Sequence, residues 1–175
     1  MCDDDRDEQV FEITVRNYFL DTTALVKIVC DEPGSGRVRA LMQDPGVSLL
    51  TSWVLVAEAL GVLKRKWQGN ELCDADYERK VQELFLRVRI GTISAVDVEI
   101  VNGEAHLKTY ELEFAKVRGR FPFLDAADAL QFRAIEEGIL KYYAGESRPR
   151  LVCADKRLLA AANEEGIDTI SVCDD

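Results

Sequence analysis

One histidine, His106, is all the chain offers, and it sits inside the helix-like stretch GEAHLKTYE. That scarcity excludes zinc sites built on paired histidines and serine–histidine–acid catalysis. His106 reads as a surface residue. The five cysteines, Cys2, Cys30, Cys73, Cys153 and Cys173, include no CxxC pair. An odd, scattered set fits reduced thiols better than a disulfide framework and points to a cytoplasmic setting. No apolar run approaches the roughly 20 residues that span a bilayer. The opening MCDDDRDEQ is acidic where a signal peptide is basic and then apolar, so a soluble protein without membrane association is expected. Gly34-Ser35-Gly36 lacks the Lys-Ser/Thr of a nucleotide P-loop and does not match the dinucleotide fingerprint, so it reads as a turn.

Acid is what the chain has in quantity. Its 175 residues fit one domain, and the formal net charge is −10. Five acidic residues against Arg6 give the first nine positions −4, and Asp174 with Asp175 contribute −2. The remaining −4 equals the charge of four residues named below, so the rest of the body is balanced and a polyanionic partner is not ruled out. Residues 1–9 read as a disordered acidic leader and residues 10–173 as a single domain.

Alternation at Phe11, Ile13 and Val15, followed by Tyr18-Phe19-Leu20, predicts a strand entering the core and ending at Asp21. Thr22 or Thr23 is placed to cap a short helix over Ala24–Val29. Pro33 is placed to start a second helix, with Val38, Leu41 and Met42 on one face. Val47–Leu50 predicts a buried strand, and Thr51 or Ser52 caps a helix to about Trp67 that carries Glu58. Asp74–Arg89 has helical spacing, and Ile93–Val98 alternates like a strand. A helix over Ile100–Val117, a basic loop Lys116–Arg120, a helix from Asp125 through Glu137, a strand at Leu151–Cys153, a helix Lys156–Glu164 and a strand Asp168–Val172 complete the reading. Alternating strands and helices imply an α/β fold with a parallel sheet covered on both faces.

Asp21, Glu58, Asp128 and Asp155 fall where such a fold gathers residues into the crevice at the carboxyl ends of its strands. Like charges about 4 Å apart repel by roughly 4 kcal/mol per pair at an effective dielectric of 20. Four together therefore call for a divalent cation, and all-oxygen donors favour Mg²⁺ or Mn²⁺. Each also has a bland reading. Asp155 could be only an N-cap, and Asp125 competes with Asp128 as the cap of a D-x-x-D arrangement. Glu58, in VLVAEALGVL, looks too buried to stand unpaired.

The blocks FLDTTALVKIVCDEPGSGRVRALM, TSWVLVAEALGVLKR, DAADALQFRAIEEG and LVCADKRLLAAANEEGIDTISV resemble, in order and spacing, those of the PIN domain, the fold of VapC-type toxin ribonucleases. The resemblance spans about Tyr18 to Val172. It implies a three-layer α/β/α sandwich with a central parallel sheet, an acidic quartet at Asp21, Glu58, Asp128 and Asp155, and Thr23 as a supporting hydroxyl. It further implies Mg²⁺- or Mn²⁺-dependent cleavage of RNA and, for toxin-type members, a small antitoxin partner. Asp21, Glu58 and Asp128 are the expected direct ligands, with Asp155 binding a second ion or positioning water. Cys153 stands where the family usually has Ser or Thr, and the long Asp74–Arg89 segment suits a homodimer interface. Arg37, Lys116, Arg118 and Arg120 are candidates for contacts to the RNA backbone. The alternatives are a PIN-like module that binds RNA or protein without cleaving, and a phosphatase or receiver domain using Asp21 as nucleophile. Thr23, standing where such a phosphatase has its second Asp, weakens the latter.

Overall fold

Tyr18, Phe19 and Leu20 form a run with no polar interruption, as expected of a strand covered on both faces, and all three are buried. They belong to β1 (Arg16–Leu20), the centre of the sheet. The computed structural model describes residues 15–96, 115, 119–136 and 148–173. After β1 come α1 (Thr22–Val29), α2 (Ser35–Gln43), β2 (Val47–Ser52), α3 (Trp53–Gln68), α4 (Asp74–Arg89) and β3 (Ser94–Val96). The chain continues through α5 (Ala126–Glu136), β4 (Arg150–Cys153), α6 (Lys156–Glu164) and β5 (Thr169–Ser171).

The sheet is parallel throughout, in the order β3-β2-β1-β4-β5. Phe19 pairs with Leu50 on one side and with Leu151 on the other. Crossovers between parallel strands are right-handed in nearly all proteins. The connections β1 to β2 and β2 to β3 step one way, while β4 to β5 steps the other. Helices α1 to α4 therefore cover one face and α6 the opposite one, giving three layers around the sheet. The direction reverses between β1 and β4, and at such a switch point the carboxyl ends of the strands leave a crevice.

Sequence and structure agree closely on several elements and differ instructively on others. The helix expected over Asp74–Arg89 spans those residues. Trp67 stacks on Tyr77 with ring centroids 5.4 Å apart and donates to Asp74, which fastens α3 to α4. Asp21 caps α1, taking Ala24 N–H at 2.7 Å, so Thr22 and Thr23 lie inside the first turn with hydroxyls free for other work. Pro33 precedes α2 in a turn with Gly34, and the helix begins at Ser35 because Gly34 is left-handed, with φ at 82°. A Cβ at Gly34 would stand 2.0 Å from the Val172 carbonyl oxygen, so only glycine fits. Asp125 precedes α5 as expected, and the last strand is shorter than Asp168–Val172.

The acidic leader 1–9, Phe11 and Ile13, His106 and nearly all of the helix expected over Ile100–Val117 lie outside the described residues. Among the described residues no helix is long and apolar enough to cross a membrane.

Candidate active site

Four backbone and side-chain bonds fix the point where β1 ends. Asp21 N–H donates to Val152 O at 3.2 Å, and Thr51, from β2, donates its hydroxyl to Leu20 O at 3.0 Å. Thr23 Oγ1 lies 2.8 and 3.0 Å from the two Asp21 oxygens, sharing its one proton between them. The same oxygen accepts Ala154 N–H at 2.8 Å. Asp21 is thus locked at the switch point between the two strands that frame it.

Asp21 is only 2% exposed. Burial raises its pKa, against the lowering effect of Cys153, Ala24 and Thr23 beside it. Cys153 ends β4, is buried, and accepts Asp155 N–H on its sulfur at 3.0 Å. Burial, and then the charge of Asp21, hold the Cys153 thiol protonated far above the usual range. A thiol therefore stands here as a neutral neighbour to Asp21.

Glu58 is half-buried on α3, not sealed in the core as its apolar neighbours suggested. Helical periodicity turns Leu55, Val56, Ala59 and Leu63 inward and leaves Glu58 on the flank. Its Oε2 accepts the Thr22 hydroxyl in a short hydrogen bond. Consecutive threonines thus reach in two directions. Thr22 holds Glu58 of α3, and Thr23 holds the loop that leads to Asp155.

Asp155 caps α6, its Oδ1 accepting Arg157 N–H at 2.7 Å and Leu158 N–H at 3.3 Å. The N-cap reading was correct as far as it went. Asp128, in the first turn of α5, joins Asp125 in a reciprocal pair of caps and takes Gln131 Nε2 at 3.4 Å. Its pKa is raised to about 7, chiefly by burial, with the charges of Asp125, Glu58 and Asp155 adding to the effect. Glu58 and Asp155 therefore each sit within electrostatic reach of Asp128, although the three come from different helices.

Among the described residues, no three of His, Cys, Asp and Glu are arranged around a single point as cation ligands. The physical reason is local satisfaction. Each carboxylate accepts a hydrogen bond from a nearby donor. Even so, the donor set fits a hard divalent ion. All four groups are carboxylates, and Glu58 Oε1 and Asp155 Oδ2 accept no hydrogen bond among the described residues. The upward pKa shifts of Asp21 and Asp128 are the kind a cation would reverse.

The basic candidates are less concentrated. Arg37 reaches Ser171 O at 3.5 Å, at the carboxyl end of β5. Arg120 pairs with Glu165 at 2.5 Å and lies over the Phe121 ring. Glu165 follows α6 as the chain returns to the start of β5, about 15 Å along that helix from Asp155. Arg120 therefore stands away from the crevice, and Lys116 and Arg118 lie outside the described residues. The sequence marks Thr22 only as a cap and does not single out Gln131, which is buried with its Oε1 unpartnered among the described residues. The adjacent threonines after Asp21 were the one available signal.

A model of the PIN domain family matches residues 18–162, which takes in all four carboxylates. No curated protein matches the chain.

Proposed function

The chain belongs to the PIN-domain family, whose members are generally nucleases that work with divalent metal ions, and from this we propose that it is a Mg²⁺- or Mn²⁺-dependent endoribonuclease. The observation that carries the proposal is the raised pKa of Asp128, to which Glu58 and Asp155 contribute from separate elements. A carboxylate made harder to ionise by burial and by neighbouring carboxylates is one that a divalent ion relieves. Bound there, Mg²⁺ or Mn²⁺ supplies an activated water and positive charge opposite a phosphodiester. Asp21 is the rigid anchor of the set, because Thr23 and Ala24 fix its oxygens. Glu58 and Asp155 each offer a free oxygen while Thr22 and the start of α6 hold the other. Asp128 completes the set, and Gln131 and Asp125 orient it. Arg37 is placed to position an RNA backbone, with Lys116, Arg118 and Arg120 as further proposed contacts.

Two partners belong to the same proposal. A toxin-type role would require a small antitoxin protein. A homodimer would use α4 and its neighbours, where Phe85, Leu86 and Ile90 are exposed. A second reading, a module that binds RNA without cutting it, draws on the lack of three pre-gathered ligands among the described residues.

A cleavage assay on structured and unstructured RNAs, with Mn²⁺ or with EDTA, separates the two. Cutting that needs Mn²⁺ and is lost in Asp21→Asn and Asp128→Asn supports the enzyme. Cutting undiminished by EDTA refutes the metal mechanism, and tight binding with no cutting under any metal favours the module.

A further inference from the structure

Away from the carboxylates, a cavity of about 290 Å³ opens between the end of α1, α2 and α4. Four cationic side chains line it, Arg39, Arg79, Lys80 and Arg87, against two carboxylates, Asp31 and Glu83. That is a balance of +2 in a chain of net charge −10. It lies at the far end of α1, about 12 Å along the helix from Asp21.

The cations are not used up by their neighbours. Lys80 is 8% exposed, and its Nζ bonds one acceptor, the Val29 carbonyl at 2.7 Å. No carboxylate among the described residues pairs with it. Arg87 gives one Nη2–H to Glu83 at 3.2 Å, while its Nε–H is buried with no hydrogen-bond partner among the described residues. Arg39 bonds the Ile28 and Cys30 carbonyls, and its ion pair is to Asp31, whose side chain is 88% exposed and well hydrated. Arg79 pairs with Asp76, which does not line the cavity. A buried ammonium without a counter-charge is costly, and an anion in the cavity would supply one. The negative end of the α1 dipole opposes an anion here. Lys80 and Arg39 already offset it by bonding the last carbonyls of the helix.

We propose that this cavity is a binding site for a phosphate monoester, separate from the carboxylate site. Guanidinium groups and an ammonium are the side chains that recognise phosphate oxygens. A phosphate monoester carries about −1.5 to −2 at neutral pH, which matches the +2 lining, whereas a phosphodiester linkage carries half of that. The cavity is at the small end of the roughly 300–1,000 Å³ typical of ligand sites, so it accepts the phosphate group and part of what it esterifies. The ligand is either a small phosphorylated molecule or the phosphorylated end of an RNA.

Calorimetric titration at about pH 8, in EDTA and at constant ionic strength set with chloride, tests the site. The probes are inorganic phosphate, phenyl phosphate, and an RNA trinucleotide with or without a 5′-phosphate. Saturable binding of the phosphorylated probes is expected, weakened about 10-fold or more by Arg87→Gln and by Arg79→Gln and unaffected by Asp21→Asn. Lys80→Met should abolish binding, and if that variant does not fold the two arginine variants decide. Binding of every phosphorylated probe identifies a small phosphate ligand as sufficient. Binding of the 5′-phosphorylated trinucleotide alone identifies an RNA end. Absence of saturable binding, or binding undiminished in both arginine variants, overturns the proposal.

Discussion

Asp125 and Asp128 cap the same helix turn from both sides, Asp125 Oδ1 taking Asp128 N–H at 3.0 Å while Asp128 Oδ2 takes Asp125 N–H at 3.1 Å. One of the two belongs to the candidate site. Its position is therefore set partly by a residue that does not.

Asp125→Ala should cost about 0.5–2 kcal/mol in urea denaturation, the usual value of a lost N-cap. It should also weaken Mn²⁺ binding, because the substitution removes Asp125 Oδ1, which takes the Asp128 N–H and pins the backbone that carries Asp128. Asp125→Asn keeps an acceptor and should do less of both. Unchanged Mn²⁺ affinity in Asp125→Ala would show that Asp128 is positioned by something else.

Stability of the metal-free protein should rise as pH falls. Asp128 ordinarily titrates near 3.8 and does so at about 7 in the fold, so the folded state binds its proton more tightly than the unfolded chain. The resulting stabilisation is complete below about pH 4 and is lost as pH climbs through 7, amounting to at most ~4 kcal/mol. Asp21, also raised, acts in the same direction. Melting temperatures in EDTA between about pH 7.5 and 4.5 should show the trend, and Asp128→Asn should flatten it. A wild-type profile that falls with pH across this window would contradict the assignment.

Mn²⁺ at about 100 times its dissociation constant should add roughly 2.7 kcal/mol if it binds only the folded state. At about 2–4 °C per kcal/mol that is a rise of roughly 5–10 °C in Tm for a chain of this size. Asp128→Asn should be at least as stable as wild type without metal and should respond little to Mn²⁺. A full response in that variant would remove Asp128 from the metal site.

Gly34→Ala and Gly36→Ala should move stability in opposite directions. At Gly34 the backbone is left-handed and the new methyl would collide with Val172 O, so a loss above about 2 kcal/mol is expected. At Gly36, inside α2, a methyl meets nothing within 4 Å, and a gain of about 0.5–1 kcal/mol is expected. Equal effects in thermal melts would show that the contact at Val172 does not govern the turn.

The central strands were legible because Tyr18-Phe19-Leu20 and Leu151-Val152-Cys153 are unbroken apolar runs that stop at an acid or just before one. The bounds of α4 were legible because its apolar spacing is regular from Tyr77 to Val88. The order of the strands was not, since nothing local to β1 states that its second neighbour lies beyond residue 149. The roles of Thr22 and Thr23 were hidden for the same reason: their partners, Glu58 and Ala154, are 36 and 131 positions away. Glu58 misled because a run of apolar neighbours in sequence is not a ring of apolar neighbours on a helix.

The pairing of β1 with β4 also sets a schedule. Leu20 finds Val152 only after more than 130 further residues have been made, which at about 5–20 residues per second takes roughly 7–27 s on the ribosome. Until then one edge of the central strand is open and Ala154 is not there to donate its N–H to Thr23. The crevice therefore waits on β4, and a nascent chain that has not reached it carries three of the four carboxylates without the strand that brings in the fourth. Any activity they support together begins only once β4 and the start of α6 have been made.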